Sequence, residues 1–428
     1  MNESLFIQWV AKYFGPLARK VVEKINGRVD GEPTYLFKRM LGTEYSPTMK
    51  WGSLGSNGVV VSADVVTMDS ELPLKKRDSL NKAEGDIPKI GMKMYLNERT
   101  MTDLDILQRT SNQEGAIIKK LFADTKKCIS GISERLEFMF LELLSTGLTS
   151  TTDENNNGAL IRIDMNHPDS NKFGVVKPWS DPTSKPIDDI NRVVKFAKSK
   201  GHVLRNILMD SDSFDSLAAN EQTRQQYAFS QNFVGSQIPV PDLDQVNAVL
   251  GKKFKLAIEI VDRTIIVEKN GKRTAINPWA ANAVVFMTSN TGLGNVYHGT
   301  LAEENHKVEG VTYEKVDEYI LVSKYHKNDP IREYTSSQAL AVPVIDNIES
   351  IYILDCQEAT LDVQTEGNST FAYKTVNYTK ASVADALKKA KPTTKLTVAS
   401  TDAKLLDSIN ELSEEQILVF EANLVVAP

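Results

Sequence analysis

Residues 254–300 read FKLAIEIVDRTIIVEKNGKRTAINPWAANAVVFMTSNTGLGNVYHGT. An apolar run, Phe254–Val261, predicts a strand. Asn270-Gly271 then turns a β-hairpin, because both residues tolerate positive φ. Asn277-Pro278 breaks the chain before a second apolar run, Ala283–Met287, and Gly292, Gly294 and Gly299 mark a loop after it. This stretch carries turns and strands but no catalytic constellation, so its meaning depends on what surrounds it.

The chain has 428 residues, room for two or three domains and a large core. Its apolar and charged fractions are those of ordinary globular proteins. A net charge of -6 argues against a dedicated nucleic-acid binder, whose footprint is basic. Cys128 and Cys356 lack metal-ligand spacing and read as free buried thiols of a reducing compartment. No stretch is long and apolar enough to span a membrane. At the N-terminus, Leu5, Phe6, Trp9, Val10, Tyr13, Phe14, Leu17, Val21 and Val22 recur at helical spacing with lysines and arginines between them. That is an amphipathic helix and not a signal peptide. It packs on its own core or docks on a neighbouring subunit.

Gly27–Ser56 shows few periodic apolar positions and reads as an extended arm. Gly58–Met68 and Lys89–Asn97 read as strands, with the charged stretch Asp69–Pro88 between them as the polar tip of a long hairpin. Such a ribbon is marginal alone, so it lies on its own domain or folds over an adjacent copy. Thr102 can cap a short helix. Gln113–Thr146 then carries the longest helical stripe, with Gly147 as its C-terminal cap, Gly131 as a potential bend and a length of roughly 50 Å. A helix at Ile187–Lys200, a strand at His202–Met209 and a helix opening at Phe214 predict an α/β region. A short helix, Asp242–Leu250, ends at Gly251. Two more strands, Glu318–Tyr325 and Ser350–Asp355, flank a Ser-, Ala- and Pro-containing run. Gln357–Pro428 alternates strand-like and helical pieces and reads as a separate small αβ module.

Chemical motifs are missing. The five histidines show no metal-binding spacing, and GxxxxGK[ST] and GxSxG are absent. Gly292-Leu293-Gly294 lacks the third glycine of a dinucleotide loop. Asp210, Asp212 and Glu221 imitate part of a calcium loop, yet Phe214 and Asp215 occupy the wrong positions. An N-cap explains Asp210 better. An acidic enzyme site at these three residues is the remaining enzyme alternative. No cofactor is implied.

The order arm, polar-tipped hairpin, long helix, α/β region, Asn-Gly hairpin, glycine loop and return strands resembles the major capsid proteins of tailed bacteriophages. Their fold is that of the Hong Kong 97 phage, here nearest the lambda-like branch. The local likeness rests on Val261-Asp262, Asn270-Gly271, Pro278, Val284-Val285-Phe286, Gly292–Gly299 and Glu303-Glu304, and on Asp329-Pro330 with Gln338 and Leu340-Ala341-Val342-Pro343. The resemblance implies an α+β chain with an N-terminal helix and arm (1–56), an extended hairpin loop (57–98), a peripheral domain with a spine helix at 113–146 (99–203), an axial domain (204–313) and return strands (314–356). Residues 357–428 are additional. It also implies a non-enzymatic shell protein that assembles with itself as hexamers and pentamers around double-stranded DNA. Scaffold, portal and decoration proteins are further partners, and assembly takes place in the host bacterial cytoplasm. Leu72, Leu74, Lys75, Lys76, Arg77, Lys82, Gly292, Gly294 and Tyr297 are then the expected intersubunit contacts. A cellular nanocompartment of the same fold is the alternative.

Overall fold

The computed structural model describes residues 3–55, 63, 81–110, 114–152, 156, 161–231, 238–358, 370–374, 376–391 and 402–424. They divide into two compact units. The larger holds residues 1–173 and 185–356, and the smaller holds 174–184 and 357–428.

The larger unit begins with helix α1 (Ile7–Ile25), whose buried stripe is Val10, Phe14, Ala18, Val22 and Ile25. It packs on the chain's own core, with Phe14 facing Phe122 at 6.4 Å between ring centroids. The expected irregular arm is ordered. It forms helix α2 (Leu36–Met40), strand β1 (Leu41–Tyr45) and strand β2 (Lys50–Gly55). No local periodicity announces α2, because its partner is distant. The Leu36 and Phe37 N–H groups each donate at 3.0 Å to the Glu137 carboxylate, which is fully buried. A buried carboxylate that accepts two helix-terminal donors satisfies both sides of the contact.

The long hairpin is also rearranged. Strand β3 (Asn81–Asp86) falls inside the stretch expected to be a polar tip, and it pairs antiparallel with β2. Strand β4 (Lys89–Leu96) does not close that hairpin but joins a larger sheet. One-sided burial explains the pairing: Trp51 and Ser53 on β2 and Ala83 on β3 are buried although the strands read as polar. Gly58–Met68, apart from Ala63, and Asp69–Leu80 lie outside the described residues.

Helix α3 (Glu98–Thr110) is capped by Asn97, which accepts the Thr100 N–H at 2.9 Å; Thr102 lies inside the helix and bonds the Glu98 carbonyl. The expected single spine helix is two: α4 (Glu114–Leu121) and α5 (Ala123–Thr146), separated at Phe122. Gly147, at φ +82°, ends α5 as its spacing predicts. The helix runs on through Gly131, where an added Cβ would meet Met92 Sδ at 2.1 Å. That glycine lets β4 approach the helix and does not bend it.

Strands β5 (Leu148–Ser150) and β6 (Arg162–Asp164) form a short ladder before β7 (Lys172–Phe173). Helix α6 (Pro186–Ser199), strand β8 (Asn206–Met209), helices α7 (Ser211–Ala219), α8 (Glu221–Ser230) and α9 (Leu243–Phe254) and strand β9 (Ala257–Ile260) follow. Asp210 stands at the N-cap of α7 without bonding it; the Ser211 N–H instead donates to Asp262 at 3.0 Å. Helix α9 passes Gly251 and ends on Lys255, at φ +58°, so the expected strand begins three residues late. Strands β10 (Ile265–Lys269) and β11 (Lys272–Ile276) form the predicted hairpin, with Asn270 and Gly271 at φ +51° and +78°. Strand β12 (Ala283–Met287) is entirely buried. Among the described residues it runs antiparallel between β8 and strand β17 (Tyr352–Asp355), in the order β7-β17-β12-β8-β9.

The glycine loop is a strand, β13 (Gly294–His298), paired parallel with β1. After the short helix α10 (Ala302–Asn305) come β14 (Thr312–Val316), β15 (Ile320–Asn328) and β16 (Ile331–Ile345). The last absorbs most of the Ser-, Ala- and Pro-containing run and is the centre of a six-stranded sheet, ordered β1-β13-β16-β15-β14 with β4 on β16. Pro343 fits there for a geometric reason. The Ala341 N–H points toward β4, to Pro88 O, whereas Leu340 O takes the Gly299 N–H on the opposite edge. By alternation the missing Pro343 N–H falls on the β4 edge, whose ladder has already ended at Lys89–Leu340.

The smaller unit has a hairpin, β18 (Thr370–Tyr373) with β19 (Val376–Thr379), and helices α11 (Lys380–Ala390), α12 (Asp402–Asn410) and α13 (Glu414–Ala422). Val383, Leu387, Leu405, Ile409 and Phe420 form its own core. The 174–184 segment belongs to it: the Val175 N–H bonds Glu358 O at 2.9 Å, and Ser180 bonds Gln357 at 2.8 Å.

Candidate assembly surface

The two faces of β16 differ. Glu333, Thr335, Ser337 and Ala339 are buried, whereas Tyr334, Ser336, Gln338 and Leu340 are half-exposed. α5 covers the first face. Its backbone satisfies the polar side chains there, with the Ser337 hydroxyl donating to Cys128 O at 2.6 Å. Burial pushes the Cys128 thiol up to about 12, so it is an inert core group.

The other face is covered along β15, where Leu321, Ser323 and Tyr325 are buried, and partly open along β16 and β4. Strand register places Tyr95, Tyr334 and Tyr325 side by side across β4, β16 and β15. Their rings lie 5.8 Å and 5.4 Å apart, the second pair stacked. The Arg332 guanidinium sits 4.2 Å from the Tyr95 ring centre, and Lys327 Nζ 5.8 Å from that of Tyr334. Such contacts orient cations over rings that still expose area to a partner. Tyr95 is 49% exposed. Next to the tyrosines a groove of about 500 Å³ runs past Lys89, Gly91, Lys93, Ser336, Gln338 and Tyr313. Burial, reinforced by Tyr334, raises the Tyr325 phenol above its ordinary value, so it stays a neutral hydrogen-bonding group. Amphipathic, with cations at both ends, the face suits an extended protein segment.

Of the residues expected at subunit contacts, Leu72, Leu74, Lys75, Lys76 and Arg77 lie outside the described residues. Lys82 is on β3 opposite Leu54. Gly292 is exposed just before β13, at φ +66°. Gly294 is buried between β1 and β16, and Tyr297 is half-buried on the same strand with its hydroxyl 3.3 Å from Gly52 O. So Gly294 packs against its own chain, not on a loop offered to a neighbour. Asp210 is buried, while Asp212 and Glu221 are exposed on separate helices. Among the described residues no group of three or more His, Cys, Asp or Glu is placed to hold a metal, and no helix is long and apolar enough to cross a membrane.

The sequence reading missed the tyrosine face. A signal was present: Tyr325 and Tyr334 are equidistant from Asp329-Pro330, and a two-residue turn there must place them opposite each other.

No curated protein matches the chain. Solved structures that resemble it include a phage-related protein from Bordetella bronchiseptica RB50, at 10% identity over 81% of this chain and 98% of that one, with TM-score 0.46. The capsid asymmetric unit of cyanophage A-1(L) matches at 13% identity over 74% and 90%, with TM-score 0.38. An encapsulin complex from Synechococcus elongatus PCC 7942 matches at 11% identity over 78% and 89%, with TM-score 0.33. The assignment rests instead on a family model, described as phage major capsid protein E, which matches residues 25–355. Because that match runs from the end of α1 through both sheets to β17, the chain belongs to the phage major capsid protein E family.

Proposed function

We propose that this shell-forming capsid protein assembles as hexamers and pentamers of an icosahedral phage head, with the tyrosine face of its main sheet as a principal subunit contact. The observation that carries the reading is that face: three aligned tyrosines, Tyr325 buried at one side, Tyr334 half-buried and Tyr95 exposed, with cations over the last two rings. Its proposed occupant is the segment between β2 and β3 of a neighbouring copy. That segment, residues 56–80, contains apolar VVV and VVTM runs with the acids Asp64, Asp69 and Glu71 in its first part, which suits tyrosines and lysines, and Lys75, Lys76, Arg77 and Asp78 after them. Leu72, Leu74, Lys75, Lys76 and Arg77 lie in it and are proposed contacts, with Lys82 at its base. Many modest contacts of this kind add up around a closed shell.

In this reading the six-stranded sheet and α5 form the peripheral domain. The five-stranded sheet with α6–α9 is the proposed axial domain; it differs from the expected span 204–313 in taking in α6, β7 and β17 and in leaving β13 and β14 to the six-stranded sheet. The protein encloses double-stranded DNA by non-specific contact, in keeping with its acidic balance. It takes scaffold, portal and decoration proteins as partners, assembles in the host cytoplasm and catalyses nothing. The smaller unit is an added module on the outer surface.

The test is assembly of the purified protein, followed by size exclusion and negative-stain microscopy. Wild type should give shells or capsomer-sized rings. Tyr95→Ala with Lys93→Glu should give folded subunits that fail to assemble. A wild-type protein that stays monomeric at high concentration overturns the proposal. Particles holding protein cargo instead of DNA would reassign it to a nanocompartment.

A further inference from the structure

Among the described residues, the start of the chain completes a buried charge pair. Lys324 and Glu333 face each other across β15 and β16, 3.9 Å apart and both fully buried. Lys324 is satisfied from the interior: its Nζ donates to Thr335 Oγ1 at 3.0 Å and to Leu121 O at 3.5 Å, and lies 5.6 Å from the Phe122 ring centre. Glu333 is satisfied from outside the sheet. One carboxylate oxygen accepts the Ser4 hydroxyl and the other accepts the Leu5 N–H at 3.2 Å. Ser4 Oγ in turn accepts the Phe6 N–H at 3.2 Å, and the Glu3 carbonyl bonds His326 on β15.

We propose that Ser4–Phe6 is a clasp: by closing over the Glu333 carboxylate it locks α1 onto the main sheet, and its opening releases residues 3–26 as one unit while the sheet stays folded.

Along the rest of α1 the main contact is the apolar stripe Val10, Phe14, Ala18, Val22 and Ile25, one continuous surface that is buried or exposed together, and the polar pairs at its rim add little. The Lys12–Glu114 pair is exposed on both sides, and Arg19 reaches Glu314 at 3.2 Å with its own side chain 63% exposed. Exposed pairs of this kind contribute little. Beyond the helix, Asn26 bonds Asp317 at 2.9 Å. The clasp is different in kind, because a buried carboxylate stripped of its donors pays the full desolvation cost. Apart from Lys324 at 3.9 Å, the Glu333 carboxylate therefore has either Ser4 and Leu5 or water, and partial opening gains nothing. The sheet needs neither: β15 and β16 are laddered over eight residue pairs and backed by α5. The first 24 residues also precede the family match, so most of α1 is attached to the family body at its edge.

Hydrogen exchange read by mass spectrometry on the full-length subunit tests this. Ser4→Ala removes the hydroxyl that bridges Glu333 and the Phe6 N–H. Amides of residues 7–25 should exchange about tenfold faster, with those of β15 and β16 unchanged. Glu333→Gln, which keeps the shape and loses the charge, should give the same pattern. If α1 exchanges at the wild-type rate in Ser4→Ala, or if β15 and β16 accelerate along with it, the clasp is refuted. Should Glu333→Gln fail to fold, Ser4→Ala still decides, since Ser4 lies outside the sheet.

Discussion

Gly294 separates two accounts of residues 292–299. If the segment is a loop offered to a neighbour, a methyl group at Gly294 disturbs assembly and spares the subunit. If it is the interior strand β13, the same methyl damages the subunit itself. An ideal Cβ at Gly294 would sit 2.1 Å from Val344 O, 2.9 Å from Asp346 N and 2.9 Å from Ile345 Cα. All three are backbone atoms of β16 and its end, so no side chain can swing aside. Relief requires β16 to move by roughly 1.4 Å, since ordinary contacts lie near 3.5 Å. That stretch is held: Ser53 Oγ donates to Ile345 O at 3.1 Å, and the Asp346 N–H donates to Leu293 O at 3.0 Å. Overpacking of about 1–3 kcal/mol plus one or two weakened hydrogen bonds gives a loss of about 3–5 kcal/mol for Gly294→Ala. Gly292→Ala is the control. Gly292 lies at φ +66° with open space around it, so its cost is the left-handed backbone alone, about 1–2 kcal/mol. Urea unfolding of dissociated subunits should show a large loss for Gly294→Ala and a small one for Gly292→Ala. A Gly294→Ala subunit that unfolds at the wild-type midpoint yet fails to form shells would refute the interior-strand account and restore the contact reading.

Glu137→Ala should cost about 3 kcal/mol, because it orphans the Leu36 and Phe37 N–H groups at a buried site; an unchanged urea midpoint would show that α2 is not anchored there. His167 donates through Nε2 to Ile351 O at 3.1 Å, and burial lowers its pKa from 6.5 to about 4. The unfolded chain therefore takes a proton that the folded chain refuses, so about 3 kcal/mol of stability, full above pH 6.5, is lost as the pH falls from 6.5 to 4. His167→Gln, which can keep the donor, should flatten that part of the pH–stability curve, and an unaltered slope would exclude His167 as its source. Asp262→Ala should cost about 1 kcal/mol through the lost cap on Ser211, with Asp262→Asn close to wild type in thermal unfolding. Truncation after Glu358 keeps the bond to Val175 and should leave shells intact under the microscope; loss of all assembly would place the smaller unit at a seam.

What the sequence revealed and what it hid divide along the range of the interactions involved. The Asn270-Gly271 hairpin, β12 and the end of α5 at Gly147 were legible because each is decided within a few residues. The arm was not, because α2 is fixed by Glu137, a hundred positions away, and β1 exists only beside β13. The break at Phe122 was hidden by burial: Leu121 and Phe122 are both buried, so the apolar stripe runs unbroken across a change of helix. β13 looked like a loop because its glycines appear conformational when read locally. In space, Gly294 records how close β16 comes. β16 looked irregular for a related reason. Ser337 and Thr335 occupy its buried face, which a strand pattern would fill with apolar residues, and they are tolerated because the α5 backbone and Lys324 supply their hydrogen-bond partners.

The same division explains why the proposed assembly face escaped a search for chemistry. Catalytic motifs compress function into short spacings, so their absence is quickly noticed and says little else. Here the proposed contact lies across strands. Tyr95 is more than two hundred residues from Tyr325 and Tyr334, and only the two ladders of β16 bring the three rings into line. None of these residues is unusual at its own position: a tyrosine on a half-exposed strand is an ordinary β-former. Their alignment becomes a surface only when register and an uncovered face are known together. A shell protein is held by many such faces, each weak alone, so its function is carried by topology, and the turn at Asp329-Pro330 does more to specify the face than any single side chain in it.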